Sequence, residues 1–214
     1  MTGLLALQAA CEAEVGRLWA GQTDGAHDLG HLRRVWGNCR SIAAEEGGDP
    51  AILLAAAMFH DIVNLPKDAP DRATASSRSA GVAADWLHAQ GWPADRIAAT
   101  AHAIEAHSYS GGIPPRTLEA RILQDADRLE ALGAIGIARM FLVAGRMGGA
   151  MFDDADPMAL HRPLDDRRYA LDHLEVKLFG LVGTMQTATG RVMAEARSDW
   201  MASFRTRLLH ETGA

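Results

Sequence analysis

His-Asp occurs twice in the chain, at His27-Asp28 and His60-Asp61. The dipeptide alone says nothing, so its surroundings must decide. The second pair closes the most apolar stretch of the sequence, directly after Ala56-Ala57-Met58-Phe59, where two ionisable side chains are costly unless they have partners. Neighbouring residues at a helix end point about 100° apart, and near a terminus their side chains can still converge on one ion. A metal would explain the placement. His31 is the best first candidate for a further ligand, because it lies in an apolar-periodic segment one turn before Val35. Leu123-Gln124-Asp125-Ala126-Asp127-Arg128-Leu129 then sets two carboxylates among apolar residues. Asp125 and Asp127 diverge by about 200° on a helix, so they cannot easily reach one ion from the same direction. Periodicity does not choose between them, because both share their faces with apolar residues.

The elements that must carry these residues are helices. Alanine is abundant, strongly alternating apolar runs are missing, and apolar residues recur at three- and four-residue spacing. The fold class expected is all-α. Helices are expected from about Leu4 to Ala20, and from about Asp28 to Glu46 with the Gly47-Gly48 pair as a left-handed cap. A third begins after Asp49 with Pro50 in its first position and stops soon after Asp61, because Asn64-Leu65-Pro66 cannot continue it. Pro66 to Ala75 reads as a surface loop. Further helices are expected over about Ser76 to Gln90, Ala94 to His107, Thr117 to Arg146 with a break near Asp125, Leu164 to Gly183, and Thr187 to His210. The segment from Gly145 to Pro163 reads as a loop or flap.

Composition bounds the function. At 214 residues with 48% apolar and 22% charged, the chain is of ordinary globular type and long enough for one domain, or one with an added subdomain. Its 21 basic against 27 acidic side chains give a net charge of -6, so nucleic-acid and membrane-surface partners are not expected. Cys11 and Cys39 stand far apart and suggest two buried free thiols in a reducing compartment. The amino end carries Glu12 and Glu14 behind a short apolar stretch with no basic residue ahead of it, which is wrong for a secretory signal. A cytoplasmic location is expected.

His31, then His60-Asp61 after an apolar helix, then Asp127 in Asp-Ala-Asp-Arg-Leu-Glu-Ala-Leu-Gly together resemble the ordered His, His-Asp, Asp signature of the HD superfamily of metal-dependent phosphohydrolases. The segments His27 to Val35, His60 to Asp68, Arg72 with Ser76-Ser77, and His107-Ser108-Tyr109-Ser110 are similar to a subgroup of small stand-alone bacterial HD proteins that includes nucleotide pyrophosphohydrolases. The tail from Asp172-His173-Leu174-Glu175-Val176-Lys177-Leu178 to Ala196-Arg197 is similar too, although Asp172 and Leu174 stand where the subgroup leads one to expect Asn and Phe.

The resemblance implies a single HD-type helical domain over residues 1-214, with an HD core at about 24-147 and a helical C-terminal extension at about 160-212. It implies that His31, His60, Asp61 and Asp127 ligate one divalent ion, and it alone prefers Asp127 to Asp125. Imidazole with carboxylate suits Mn, Fe, Co, Ni or Mg, and affinity order alone does not choose among them; Mn is the leading expectation, with Mg, Fe, Co or Ni as alternatives. Asp61, Lys67 and His107 are the expected catalytic groups. Lys67, Arg72, Arg128 and Lys177 are the expected contacts to a small phosphorylated substrate, with a nucleoside triphosphate as leading case. Asp28 and Asp125 are expected to support the ligands by hydrogen bonding or to cap helices.

Plainer readings stand beside these. Lys67, Arg72 and Arg78 also suit a solvated charged loop, Arg128 and Lys177 suit surface ion pairs, and His102 suits packing. Five residues separate His102 from His107, about 140° from alignment on a helix, which argues against a second metal held by both. The competing function is a non-catalytic HD-type metal- or ligand-binding module. The oligomeric state is not legible.

Overall fold

The structure, a computed structural model, describes residues 2-20, 28-65, 69-108 and 111-212. Lys67, His27 and Tyr109 therefore lie outside the described residues. The chain divides into two compact units, one ending at Asp127 and one starting at Arg128. The described residues are all-α.

The first unit is organised around its most apolar helix. Its helices are α1 (Thr2–Leu18), α2 (Leu29–Glu46), α3 (Pro50–Phe59), α4 (Ala75–Ala89), α5 (Ala94–His107) and α6, which runs Leu118–Arg128 across the division. Asp49 starts α3 by accepting from the backbone N–H groups of Ala51 (2.8 Å) and Ile52 (3.2 Å), with Pro50 in the first turn where its missing N–H costs nothing. Every residue from Ile52 to Phe59 is buried, as a helix apolar on all sides must be. Helices α1, α2, α4 and α5 pack against it. Burial of each large side chain, such as Leu53, Leu54 and Phe59, stabilises the unit by roughly 1.5–3 kcal/mol. Phe59 packs on Trp86 of α4 with ring centroids 5.1 Å apart.

The second unit contains a 3₁₀ turn at Leu129–Ala131, α7 (Gly133–Arg146), a π-helical turn at Leu174–Leu178, a 3₁₀ stretch at Phe179–Thr184, and α8 (Ala188–Thr212). Two sequence expectations are corrected here. The break in the long Thr117 to Arg146 segment starts after Arg128, slightly later than expected, with the 3₁₀ turn, and ends at Leu132-Gly133, where Leu132 is extended and Gly133 takes φ +71, a conformation that suits glycine.

The expected helix over Leu164 to Gly183 is replaced by turns, the π turn and the 3₁₀ stretch. Ala150 N–H donates to Arg168, Ala170 N–H to Ala150, and Leu171 N–H to Met151, so backbone groups that a helix would need are already committed. That pairing includes the isolated bridge between Ala150 and Tyr169; the described residues form no β-strand. No described helix is long and apolar enough to cross a membrane.

Candidate metal centre

Three helix ends in the first unit carry the site. His60 is the residue that closes α3 and Asp61 follows it, His107 is the last residue of α5, and Asp127 is the next-to-last of α6. Each helix C-terminus carries a partial negative charge of about half an electron from its unsatisfied carbonyls. A cation is favoured where such ends meet. His31 comes from the first turn of α2, whose start is set by Asp28: its Oδ1 accepts the backbone N–H of His31 at 2.8 Å. A Cβ at Gly30 would lie 3.0 Å from that oxygen, so glycine leaves room for the cap.

The polar atoms converge in two overlapping groups, His31 with His60 and Asp127, and His60 with Asp61 and His107. His31 Nε2 lies 3.3 Å from His60 Nε2, 3.5 Å from Asp127 Oδ1 and 3.8 Å from Asp61 Oδ2. His60 Nε2 lies 3.5 Å from Asp61 Oδ2 and 3.7 Å from Asp127 Oδ1. Asp61 turns its other oxygen, Oδ1, to His107 Nε2 at 3.5 Å, and the His107 ring meets that of His60 edge-on at 4.8 Å. A carbonyl can only accept, so the contact of His60 Nδ1 with Ala57 O (2.9 Å) fixes the proton on Nδ1 and leaves the Nε2 lone pair facing the cluster when the ring is neutral. The contact of His107 Nδ1 with Ile104 O (2.6 Å) does the same for His107.

Charge follows the geometry. Burial depresses the basicity of His60, but the Asp61 and Asp127 carboxylates outweigh it and raise its pKa to about 9. Burial opposes ionisation of Asp61, and the charges of His60, His107 and His31 reverse this and hold it well below the usual carboxylate range. Asp127 is lowered in the same way by His60 and His31. The histidine rings are buried, while the side chains of Asp61 and Asp127 remain 24% and 31% exposed. Access to the cluster is therefore from the carboxylate side.

The other sequence candidates scatter. Asp125 is fully buried within α6 and belongs to neither group of close ligand atoms, and it lies far from that helix's start, so it is no N-terminal cap. Together with Asp127 it adds to the burial that pushes the Cys39 thiol up. His102 Nε2 accepts the backbone N–H of Arg116 at 3.0 Å and stands outside the cluster. Arg72 donates to the Leu65 carbonyl at 2.5 Å, and Arg78 pairs with Asp71 at 3.2 Å on the surface. In the second unit, Arg128 donates to Thr184 O at 2.5 Å and Lys177 is exposed on the π turn. Asp172, where Asn was expected, is buried and gripped by Arg162 through two bonds of 2.6 and 2.8 Å. Its charge is matched by a guanidinium.

Sequence reasoning passed over two buried amides, Asn38 and Gln124. Asn38 had a readable signal, since it continues the buried row of His31 and Val35 at i+7. Its side chain donates to Ala126 O at 3.0 Å, and that of Gln124 to Ala106 O at 2.7 Å.

The chain is similar to known proteins over most of its length. The HD domain family profile matches residues 28–132. The uncharacterized protein YpgQ of Bacillus subtilis (strain 168) is 31% identical over 205 residues, covering 92% of each chain. The crystal structure of Bacillus subtilis YpgQ in complex with ADP superposes with a TM-score of 0.75 at 29% identity, covering 99% of this chain and 97% of that one. A crystal structure of an HD-superfamily hydrolase from Bacillus thuringiensis gives a TM-score of 0.77 at 29% identity, covering 99% of both chains.

Proposed function

This chain belongs to the HD domain family, and we propose that it is a metal-dependent phosphohydrolase acting on a small phosphorylated compound, with a nucleoside triphosphate as leading substrate. The observation that carries the reading is the convergence of His31 Nε2, His60 Nε2, Asp61 Oδ2 and Asp127 Oδ1, with nitrogen–nitrogen and nitrogen–oxygen separations of 3.3 to 3.8 Å. Ligands about 2.1 Å from one ion at right-angled to tetrahedral spacing lie roughly 3.0 to 3.5 Å apart. The donor set fits a divalent ion. Manganese is the proposed metal, with Mg, Fe, Co or Ni as alternatives.

When bound, the ion would polarise a phosphoryl oxygen and acidify a coordinated water. The chain's own residues do the rest. His60 and His107 keep their orientation through the carbonyls of Ala57 and Ile104. Asp61 faces the four-residue cluster with one oxygen and His107 with the other, so His107 Nε2 is suited to hold a proton for the leaving oxygen. Lys67 and Arg72 are the cations proposed to contact substrate. The ADP in the YpgQ crystal structure supports a nucleotide.

Elemental analysis tests the metal assignment. The native chain is expected to hold about one ion, His60→Ala to lose most of it, and the exposed His210→Ala to keep it. Equal metal in both variants would count against the cluster. Manganese-loaded protein screened on nucleotides and simple phosphate esters tests the activity, which a chelator must abolish. Lys67→Ala is expected to keep metal but lose turnover by roughly 10²-fold, the effect of removing one charge-stabilising donor. A native chain that holds metal and hydrolyses none of these compounds would favour the non-catalytic binding module.

A further inference from the structure

Two buried amide side chains bond the peptides next to site residues. Asn38 donates to the carbonyl of Ala126, the residue before Asp127, and Gln124 donates to the carbonyl of Ala106, the residue before His107. Both acceptors lie in the last turn of a helix, where carbonyls have no partner further along the helix. Both donors sit on helices that carry the cluster. Asn38 is two turns beyond His31 on the same face of α2, and Gln124 is one turn before Asp127 on α6.

Helix α2 therefore touches the end of α6 at two places: through His31 Nε2 and Asp127 Oδ1 at 3.5 Å, and through Asn38 Nδ2 and Ala126 O at 3.0 Å. Helix α6 is in turn tied to the end of α5 through Gln124. Gln124 Oε1 is buried without a hydrogen-bond partner. An amide kept in such a place at that cost is kept for its N–H group, which a carboxylate or an aliphatic side chain of similar size lacks.

We infer that Asn38 and Gln124 are positioning residues for the metal centre, holding the end of α6, and with it the Asp127 carboxylate, at ligating distance from His31 before any ion arrives. The inference rests on the proposed metal assignment. Removing either N–H lets the end of α6 relax away from its neighbours, so the centre must be assembled by the ion itself and binds it less tightly.

Cobalt(II) provides the probe, because its visible absorption reports ligand geometry and titration gives the affinity. The full-length native chain is compared with Asn38→Asp, Asn38→Leu, Gln124→Glu and Gln124→Leu. Thr100→Val is the control, a buried hydroxyl whose bond goes to Arg96 O within α5. Thermal melts of the metal-free proteins verify that each variant folds, and the Asp and Glu variants retain the test if the leucine variants do not fold. Folded Asn38 and Gln124 variants are expected to bind cobalt roughly 10- to 100-fold more weakly, with a changed visible spectrum, as when groups supporting metal ligands are lost. Thr100→Val is expected to lower the melting temperature with affinity and spectrum unchanged. Native affinity and spectrum in folded Asn38→Asp and Gln124→Glu would overturn the positioning role while leaving the metal assignment intact. Absence of cobalt binding by the native chain would overturn both.

Discussion

His60 shows how one residue links burial, charge and ligation. Its raised pKa of about 9 comes from Asp61 and Asp127 winning over burial, so in the metal-free protein the ring is charged at neutral pH. A group whose folded pKa exceeds its unfolded value of about 6.5 adds stability that is complete below pH 6.5 and lost as pH rises through 9. Metal-free protein is therefore expected to lose up to about 3 kcal/mol between pH 6 and pH 9.5, and His60→Ala to flatten that fall. Urea titrations in the presence of chelator measure both. Metal binding must run the other way, tightening as pH rises, because the ion displaces the proton; affinity independent of pH would contradict ligation by His60. At this scale most of the residues that meet in the candidate site were legible. A histidine and an aspartate at the end of a wholly apolar helix need partners, and that need can be read without coordinates. Asp125 against Asp127 could not be settled by periodicity, because both faces of α6 are apolar. Gln124 escaped notice because an amide has no signature until the carbonyl it meets is known, and the row that Asn38 shares with His31 and Val35 marks it as buried without naming that carbonyl.

Elements were legible where local signals agreed and illegible where distant backbone competed. Helices α2 to α5 begin and end near the positions that Asp28, Asp49, Gly47 and Pro93 dictate. Between Leu164 and Gly183, apolar residues recur at helical spacing, yet the backbone pairs with Ala150 and Met151 instead. Asp172 helps to fix this outcome: besides gripping Arg162 it accepts the backbone N–H of Asp165 at 2.7 Å. Tyr169 reinforces the turn, with Arg162 4.3 Å and Arg168 5.0 Å from its ring and its hydroxyl donating to Asp153 at 2.6 Å. Asp172→Ala would take the two shortest bonds from the guanidinium of Arg162, which is only 17% exposed, and leave it Asp153 at 3.8 Å and the carbonyls of Asp156 and Pro163. Breaking this pair from one side removes a charge-assisted, two-bond contact, and a lower urea midpoint is expected. Asp172→Asn, the residue the family resemblance leads one to expect, retains an acceptor and should lose less. Equal losses would mean that the lost charge carries the whole effect and that the shape and the remaining acceptor add little.

All four proposed ligands lie in the unit that ends at Asp127, which makes the molecule's thermal behaviour a test of the site. Ligand binding only to the folded state stabilises by RT ln(1 + [L]/Kd), about 2.7 kcal/mol at one hundred times Kd. For a protein of this size, that is a rise in melting temperature of roughly 5 to 10 °C. Manganese is expected to produce such a rise, chelator to reverse it, and His60→Ala to abolish it. If the two units melt separately, only the transition of the first should move. The comparison with His60→Ala is essential because the chain carries a net charge of -6, and any acidic surface gathers divalent ions weakly. Weak surface binding is screened as ionic strength rises, since exposed charges interact over only about 8 Å at physiological salt. Ligation by buried imidazoles is not screened in this way. A manganese-induced rise that persists in His60→Ala and fades with added salt would assign the stabilisation to the acidic surface. A rise that persists in salt and vanishes with the imidazole would assign it to the cluster where the three helix ends meet.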